Sequence, residues 1–206
     1  MNKEEEKMDN LARQVEKYSY QDLLDMGDEN RYEIIDGELY LMSSPSIRHQ
    51  LLVGEIFRQI ANYLLGKKCK VFVSPIDVRF SKEKDFRKIW NVVIPDVIVV
   101  CDENKMDERG IVGAPDLVIE VLSKSSVKHD RLRKFHLYQK QRVKEYWIVD
   151  PEEMVVYPYI LNKEGSYTLT KIYELEEPIK VEQLKNCKIN LKDFIEENKN
   201  LFEKEG

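Results

Sequence analysis

The stretch Asp116-Leu117-Val118-Ile119-Glu120-Val121-Leu122 decides the reading of this chain. It is an apolar run of strand length with one carboxylate inside it. Alternate side chains of a strand share a face. Asp116, Val118, Glu120 and Leu122 therefore point one way, and Leu117, Ile119 and Val121 the other. A run that is apolar on both faces suits a central strand covered on both sides. Glu120 then needs a partner, because an unpaired buried carboxylate is strongly unfavourable. It must meet a cation, bind a metal or carry a proton. Asp116, on the same face, reads as a strand-start residue.

Working outward, Ser125 or Ser126 caps a helix over roughly Lys128 to Gln141. The strand Glu145–Val149 follows, closed by Asp150-Pro151. Strand, helix and strand in this order form a parallel crossover unit. Upstream, Val92–Val100 is almost wholly apolar apart from Pro95-Asp96 and reads as another central strand. If it pairs with the Glu120 strand, Asp96 and Glu120 converge near one end of the sheet. Converging carboxylates repel unless a cation lies between them. A hard divalent cation such as Mg²⁺ uses one or two carboxylates and keeps several waters. It would polarise a phosphoryl group and lower the pKa of an attacking water.

Lys134 offers a positive charge from the crossover helix. It shares a helical face with Asp130 and Tyr138 at i, i+4 spacing. Its stem can lie along the apolar surface made by Leu132, Phe135 and Leu137 while the amine extends toward the carboxylates. Without a metal, the same residues give a structural Glu120–Lys134 salt bridge. Lys128, Arg131, Arg133, Lys140 and Arg142 form either a solvated face or the phosphate-contacting rim of a nucleic-acid groove.

The remaining punctuation is regular. Ser19 caps a short helix, Tyr20 to Met26, that ends at Gly27. Asp36-Gly37 turns a hairpin over Arg31–Met42, with Glu33 on its first strand. Ser46 caps a helix to about Leu65, whose stripe is Leu52, Val53, Ile56, Phe57, Ile60 and Leu64. His49 lies at the N-terminal end of that stripe. Strands follow near Lys70–Ser74 and Asp77–Phe80, then a basic loop, Lys82 to Lys88. A polar loop leads to Asp116. After Pro151 come a hairpin over Met154–Leu161 and Ser166–Tyr173, a strand near Lys188–Asn190 and a helix near Asp193–Asn198.

At 206 residues, with 34% charged residues, the chain fits one globular domain. The expected organisation is a charged arm over residues 1–17, a single domain over 18–198 and a tail over 199–206. No apolar run approaches the roughly 20 residues that span a bilayer, and the start has no signal-peptide core. A cytoplasmic protein with no membrane partner is expected. Cys69, Cys101 and Cys187 are far apart and odd in number, which argues against a disulfide framework and a zinc knuckle. The net charge of −5 disfavours non-specific binding to nucleic acid but permits a local basic groove.

Glu33, Asp36-Gly37-Glu38, His49, Pro95-Asp96, Pro115-Asp116 to Glu120-Val-Leu-Ser123, Lys134, Tyr138 and Glu145 to Pro151 together carry a resemblance. In this order, over roughly residues 18–197, they resemble the Uma-type restriction endonuclease family of the PD-(D/E)XK nuclease superfamily. The resemblance implies an α/β (α+β) fold with a restriction-endonuclease-like core, a mixed central sheet flanked by helices. It also implies a Mg²⁺ or Mn²⁺ site, phosphodiester hydrolysis and DNA as substrate. Asp96 matches the aspartate of the PD element and Glu120 the acidic residue of (D/E)XK; both would ligate the metal. Leu122 stands where that motif has lysine, and Lys134 matches a lysine relocated to the following helix. Glu33 and His49 match supporting positions. A homodimer would suit double-strand cleavage. The departure at Leu122 also leaves a second expectation, a catalytically inactive nucleic-acid-binding or regulatory module on the same fold.

Overall fold

The computed structural model describes residues 17–27, 30–123 and 129–202, apart from the side chains of 129–131. The charged arm, Lys17 excepted, and the Ser125/Ser126 cap lie outside the described residues. The elements are α1 (Tyr20–Asp25), β1 (Tyr32–Ile35), β2 (Glu38–Leu41), α2 (Ile47–Leu64), β3 (Lys70–Val73), β4 (Val78–Arg79), β5 (Val92–Val93), β6 (Val97–Val100), β7 (Met106–Asp107), β8 (Gly110–Val112) and β9 (Leu117–Val121). After a π-helical turn, His129–Lys134, come α3 (Phe135–Lys140), β10 (Glu145–Asp150), β11 (Val155–Leu161), β12 (Tyr167–Leu169), β13 (Tyr173–Glu174), β14 (Ile179–Lys180), β15 (Lys188–Ile189), α4 (Lys192–Glu197) and α5 (Lys199–Phe202).

The central sheet runs β12-β11-β10-β9-β6-β3, with β13 beside β11. It is mixed: β9 and β10 are parallel, as the crossover requires, while β6 runs antiparallel to β9. Strand parity divides its faces as the sequence pattern demands. Val97, Val99, Leu117, Ile119, Val121 and Trp147 pack against Leu52, Val53, Ile56 and Ile60 of α2. Ile98, Val118, Leu122, Tyr146 and Ile148 pack with Leu137 and Tyr138 of α3. Both faces are covered, which explains why the strands read as continuous apolar runs.

A second sheet runs β2-β1-β5-β4-β8-β7. Its existence corrects the reading of Val92–Val100 as one strand. β5 pairs with β1 and β4, whereas β6 pairs with β3 and β9, in the other sheet. Ile94-Pro95-Asp96 carries the chain between them. Proline has no amide to donate to a ladder, so the run divides there.

Three further differences have simple causes. The polar loop before Asp116 contains the β7–β8 hairpin, and β8 pairs with β4 in parallel; strands of two and three residues are too short to show an alternating pattern. Residues 199–202, expected as tail, form a helical turn that buries Phe202 beneath Arg48, 5.8 Å from the ring centre. Cys69 and Cys101 form a disulfide, against expectation. The β3–β6 register, Lys70 opposite Val100, sets the two cysteines opposite one another one step further out. Sequence distance says nothing about that.

Gly110 is required where β8 meets β4. Its φ is 127°, and a Cβ would lie 2.3 Å from the Asp77 carbonyl oxygen, which accepts the Ile111 amide at 2.8 Å. Gly110→Ala should destabilise the domain by about 2 kcal/mol or more. Thermal unfolding should show Tm lower by roughly 4–8 °C; an unchanged Tm would contradict the packing described.

Candidate functional site

Glu120 faces α3, with the parity of Val118 and Leu122, and is 3% exposed. Its Oε1 accepts hydrogen bonds from Lys134 Nζ at 2.9 Å and from the Tyr138 hydroxyl at 2.6 Å. Lys134, also 3% exposed, ends the π-helical turn and leads into α3. Such turns interrupt the ordinary helical stagger and recur at functional sites. Tyr138 lies one helical turn further on, the i, i+4 spacing noted in the sequence.

The same ammonium is 2.8 Å from Oε1 of Glu33, which is 2% exposed. Glu33 Oε1 also accepts the Ile94 amide at 2.8 Å. Glu33 belongs to β1 in one sheet and Glu120 to β9 in the other, so Lys134 bridges the two sheets where the chain crosses between them. Burial pushes the Tyr138 hydroxyl well above the usual tyrosine range, and the negative charges of Glu120 and Glu33 add to this. The phenol therefore stays protonated and donates.

Asp96 stands opposite Glu120 when the Val97–Ile119 pairing is continued by one residue. Its carboxylate nevertheless has different partners. Asp96 Oδ2 accepts the Val121 amide at 2.8 Å and lies 3.1 Å from His49 Nε2. His49 comes from the first turn of α2, where its own amide bonds the Ser46 cap at 3.2 Å. The imidazole is buried, and its Nδ1 has no hydrogen-bond partner among the described residues. The acidic positions thus form two groups. Glu33, Glu120, Lys134 and Tyr138 meet on the α3 side, Asp96 and His49 meet toward α2, and the Glu120–Val121 peptide links them.

Among the described residues, no group of three or more His, Cys, Asp or Glu could hold a metal ion. Asp116 takes no part in either group. It binds the Cys101 amide at 2.8 Å and Lys144 Nζ at 2.6 Å, at the other end of β9. Leu122 is buried in the apolar cluster beneath α3, so the strand position that would carry the motif lysine is core. Sequence reasoning named Glu33 only as support and did not foresee its direct bond to Lys134. It also left Tyr138 without a role, although the helical spacing from Lys134 was the available signal.

The mixed α/β fold is that of a restriction-endonuclease-like protein. A solved structure from Anabaena variabilis, described as "a putative nuclease belonging to DUF820", shares this fold with a TM-score of 0.68 and 18% identity, over 87% of this chain and 98% of that one. The chain belongs to the Uma2 family, described as "Putative restriction endonuclease", whose family model matches residues 16–192. Two proteins of Synechocystis sp., both called uncharacterized, are similar. One is 27% identical over 140 residues, 68% of this chain and 70% of the relative. The other is 26% identical over 121 residues, 57% and 65% respectively. No helix among the described residues is long and apolar enough to cross a membrane.

Removing the bridging cation should be costly. Lys134→Met leaves two glutamates buried without their counter-ion and should destabilise the fold by about 3–5 kcal/mol. Adding Glu120→Gln should recover part of that loss. Denaturant unfolding of the single and double variants measures the coupling; strictly additive effects would rule the bridge out.

Proposed function

We propose that this chain is a divalent-metal-dependent endonuclease that hydrolyses phosphodiester bonds of DNA. The observation that carries the reading is the 2.9 Å contact between Lys134 and Glu120. It supplies from the helix the ammonium that Leu122 cannot supply from the strand. The family match and the fold support the nuclease class; the metal, the substrate and the roles below are our reading.

The donor chemistry fits Mg²⁺ or Mn²⁺. Asp96 and Glu120 are hard oxygen donors on either side of the Glu120–Val121 peptide, to which Asp96 is bonded, and such an ion needs only one or two carboxylates, with waters completing its shell. These two residues would hold it, and when bound it would supply Lewis acidity and a more acidic water. The chain's own groups prepare the site. The Val121 amide and His49 fix the Asp96 carboxylate, so its orientation is set before any ligand arrives. Tyr138 and Lys134 fix Glu120. Lys134 also places a positive charge where charge builds up on phosphorus during attack by water. Glu33 acts through Lys134 as a positioning residue. Cutting both strands of a duplex calls for two such sites, which a homodimer would provide. The compartment we infer is the cytoplasm. The absence of a membrane-spanning helix among the described residues supports it, and the Cys69–Cys101 disulfide is the one feature more typical of an oxidising compartment.

A second reading, a nucleic-acid-binding module without catalysis, is favoured by one observation. Lys134 is already committed to two buried glutamates, an arrangement that a purely structural ion cluster would also show. The two readings separate on metal. Supercoiled, linear and single-stranded DNA are incubated with Mg²⁺ or Mn²⁺, and metal binding is followed by calorimetry. The nuclease reading expects cleavage, reduced about 100-fold or more by Glu120→Gln, and metal uptake weakened by the same change. Binding to DNA that is indifferent to metal, with no cleavage of any substrate and no calorimetric uptake, would leave only the second reading standing.

A further inference from the structure

The β1–β2 register places Tyr40 opposite Glu33, so the two share a face of the hairpin. Arg133 directly precedes Lys134. While Lys134 turns inward to the two glutamates, Arg133 is exposed, with its guanidinium carbon 4.8 Å from the centre of the Tyr40 ring. That is within the range of a cation–π contact.

The nearby carboxylates are engaged elsewhere. The Tyr40 hydroxyl donates to Glu38, and Lys140 Nζ lies 3.2 Å from Asp36. Arg133 has no carboxylate partner among the described residues. An aromatic ring engages the flat face of a guanidinium and leaves its in-plane N–H donors pointing outward. Those donors match the spacing of phosphate oxygens. A charged fork, held on a ring and without a carboxylate partner among the described residues, stands one residue from the ammonium of a buried acidic cluster. With a net charge of −5, the chain has little general attraction for a polyanion, so a placed donor of this kind matters more.

We infer that Arg133, held on the Tyr40 ring, binds a backbone phosphate of the nucleic-acid substrate beside the Glu33–Glu120–Lys134 cluster. The inference rests on the nuclease reading for its substrate class, but it concerns binding and not the chemical step. Tyr40 is the platform and Arg133 the contact.

The test is fluorescence anisotropy with a short end-labelled DNA duplex, in EDTA, at several salt concentrations. Arg133→Ala should weaken binding about tenfold and lower the slope of log K against log salt by about one. Arg133→Lys should restore the slope without restoring the affinity, because it keeps the charge and loses the fork. Tyr40→Leu should weaken binding about threefold, and Tyr40→Phe should bind as the wild type does. Circular dichroism checks that each variant is folded, and Arg133 is exposed enough for this to hold. If the wild type binds and Arg133→Ala binds equally well, the inference is overturned. Cleavage of the same duplex with Mg²⁺ separates the two claims. A wild type that cleaves while Arg133→Ala binds undiminished removes only the phosphate contact. Binding that depends on Arg133 but never leads to cleavage supports the contact and removes the nuclease reading. A wild type that neither binds nor cleaves removes both.

Discussion

One ammonium group holds the junction of this molecule. Lys134 sits between Glu33 of one sheet and Glu120 of the other, with all three residues at most 3% exposed. Taking such charges out of water is unfavourable by several kcal/mol per ion, and good geometry only offsets it. Here the geometry is good. Among the described residues, the Ile94 amide and the Tyr138 hydroxyl add neutral donors to the two carboxylates that flank the cation. Apolar residues of similar volume would hold the sheets together at least as well in comparable cases. The cluster is therefore a poor way to gain stability and a good way to aim acidic oxygens at one place.

Asp96 shows how local backbone chemistry directs a side chain. Its position in the register is opposite Glu120, yet the two carboxylates turn to different partners. β6 pairs only from Val97 onward, because the chain leaves the sheet at Pro95. The Val121 amide at that end of β9 takes the Asp96 carboxylate instead, at 2.8 Å. His49 then reaches the same oxygen from α2. A proline that ends a strand, an amide needing an acceptor and a helix whose first turn is fixed by Ser46 together determine where one acidic group points. The two groups remain coupled, since Asp96 binds the peptide that carries Glu120.

This division explains what the sequence could disclose. Glu120 was legible because a carboxylate within an apolar strand has few satisfactory explanations. The crossover from β9 to β10 was legible for the same kind of reason, as periodicity and Pro151 bound it on both sides. Lys134 was not legible from pattern alone. It lies in a segment crowded with Lys and Arg, and only the family resemblance separated it from its neighbours. Glu33 was harder still, since a glutamate on a hairpin strand is ordinarily solvated. Its burial follows from the approach of the second sheet, a tertiary event with no local signature. The division of Val92–Val100 between two sheets was marked by Pro95, but apolar continuity outweighed that mark. The disulfide depended on the β3–β6 register, which the spacing of Cys69 and Cys101 does not encode.

Carrying the positive charge on a helix instead of a strand changes what the site depends on. A lysine at position 122 would be fixed by the sheet itself. Lys134 reaches Glu120 only if α3 docks, and α3 is a single short helix entered through a π-helical turn. Its docking is driven by aromatic packing. Phe135 meets Tyr159 and Tyr167 with ring centres 4.9 and 5.3 Å apart, and Tyr138 meets Tyr146 at 4.9 Å. Edge-to-face contacts of this kind contribute about 0.5–1.5 kcal/mol each beyond the area they bury. They are also directional, so they fix the rotation of the helix as well as its presence. The Tyr138 ring belongs to that packing while its hydroxyl binds Glu120, so one side chain joins the apolar contacts that seat the helix to the polar contacts that order the carboxylate. The placement of the ammonium is thus a consequence of core packing, and the two cannot be altered independently.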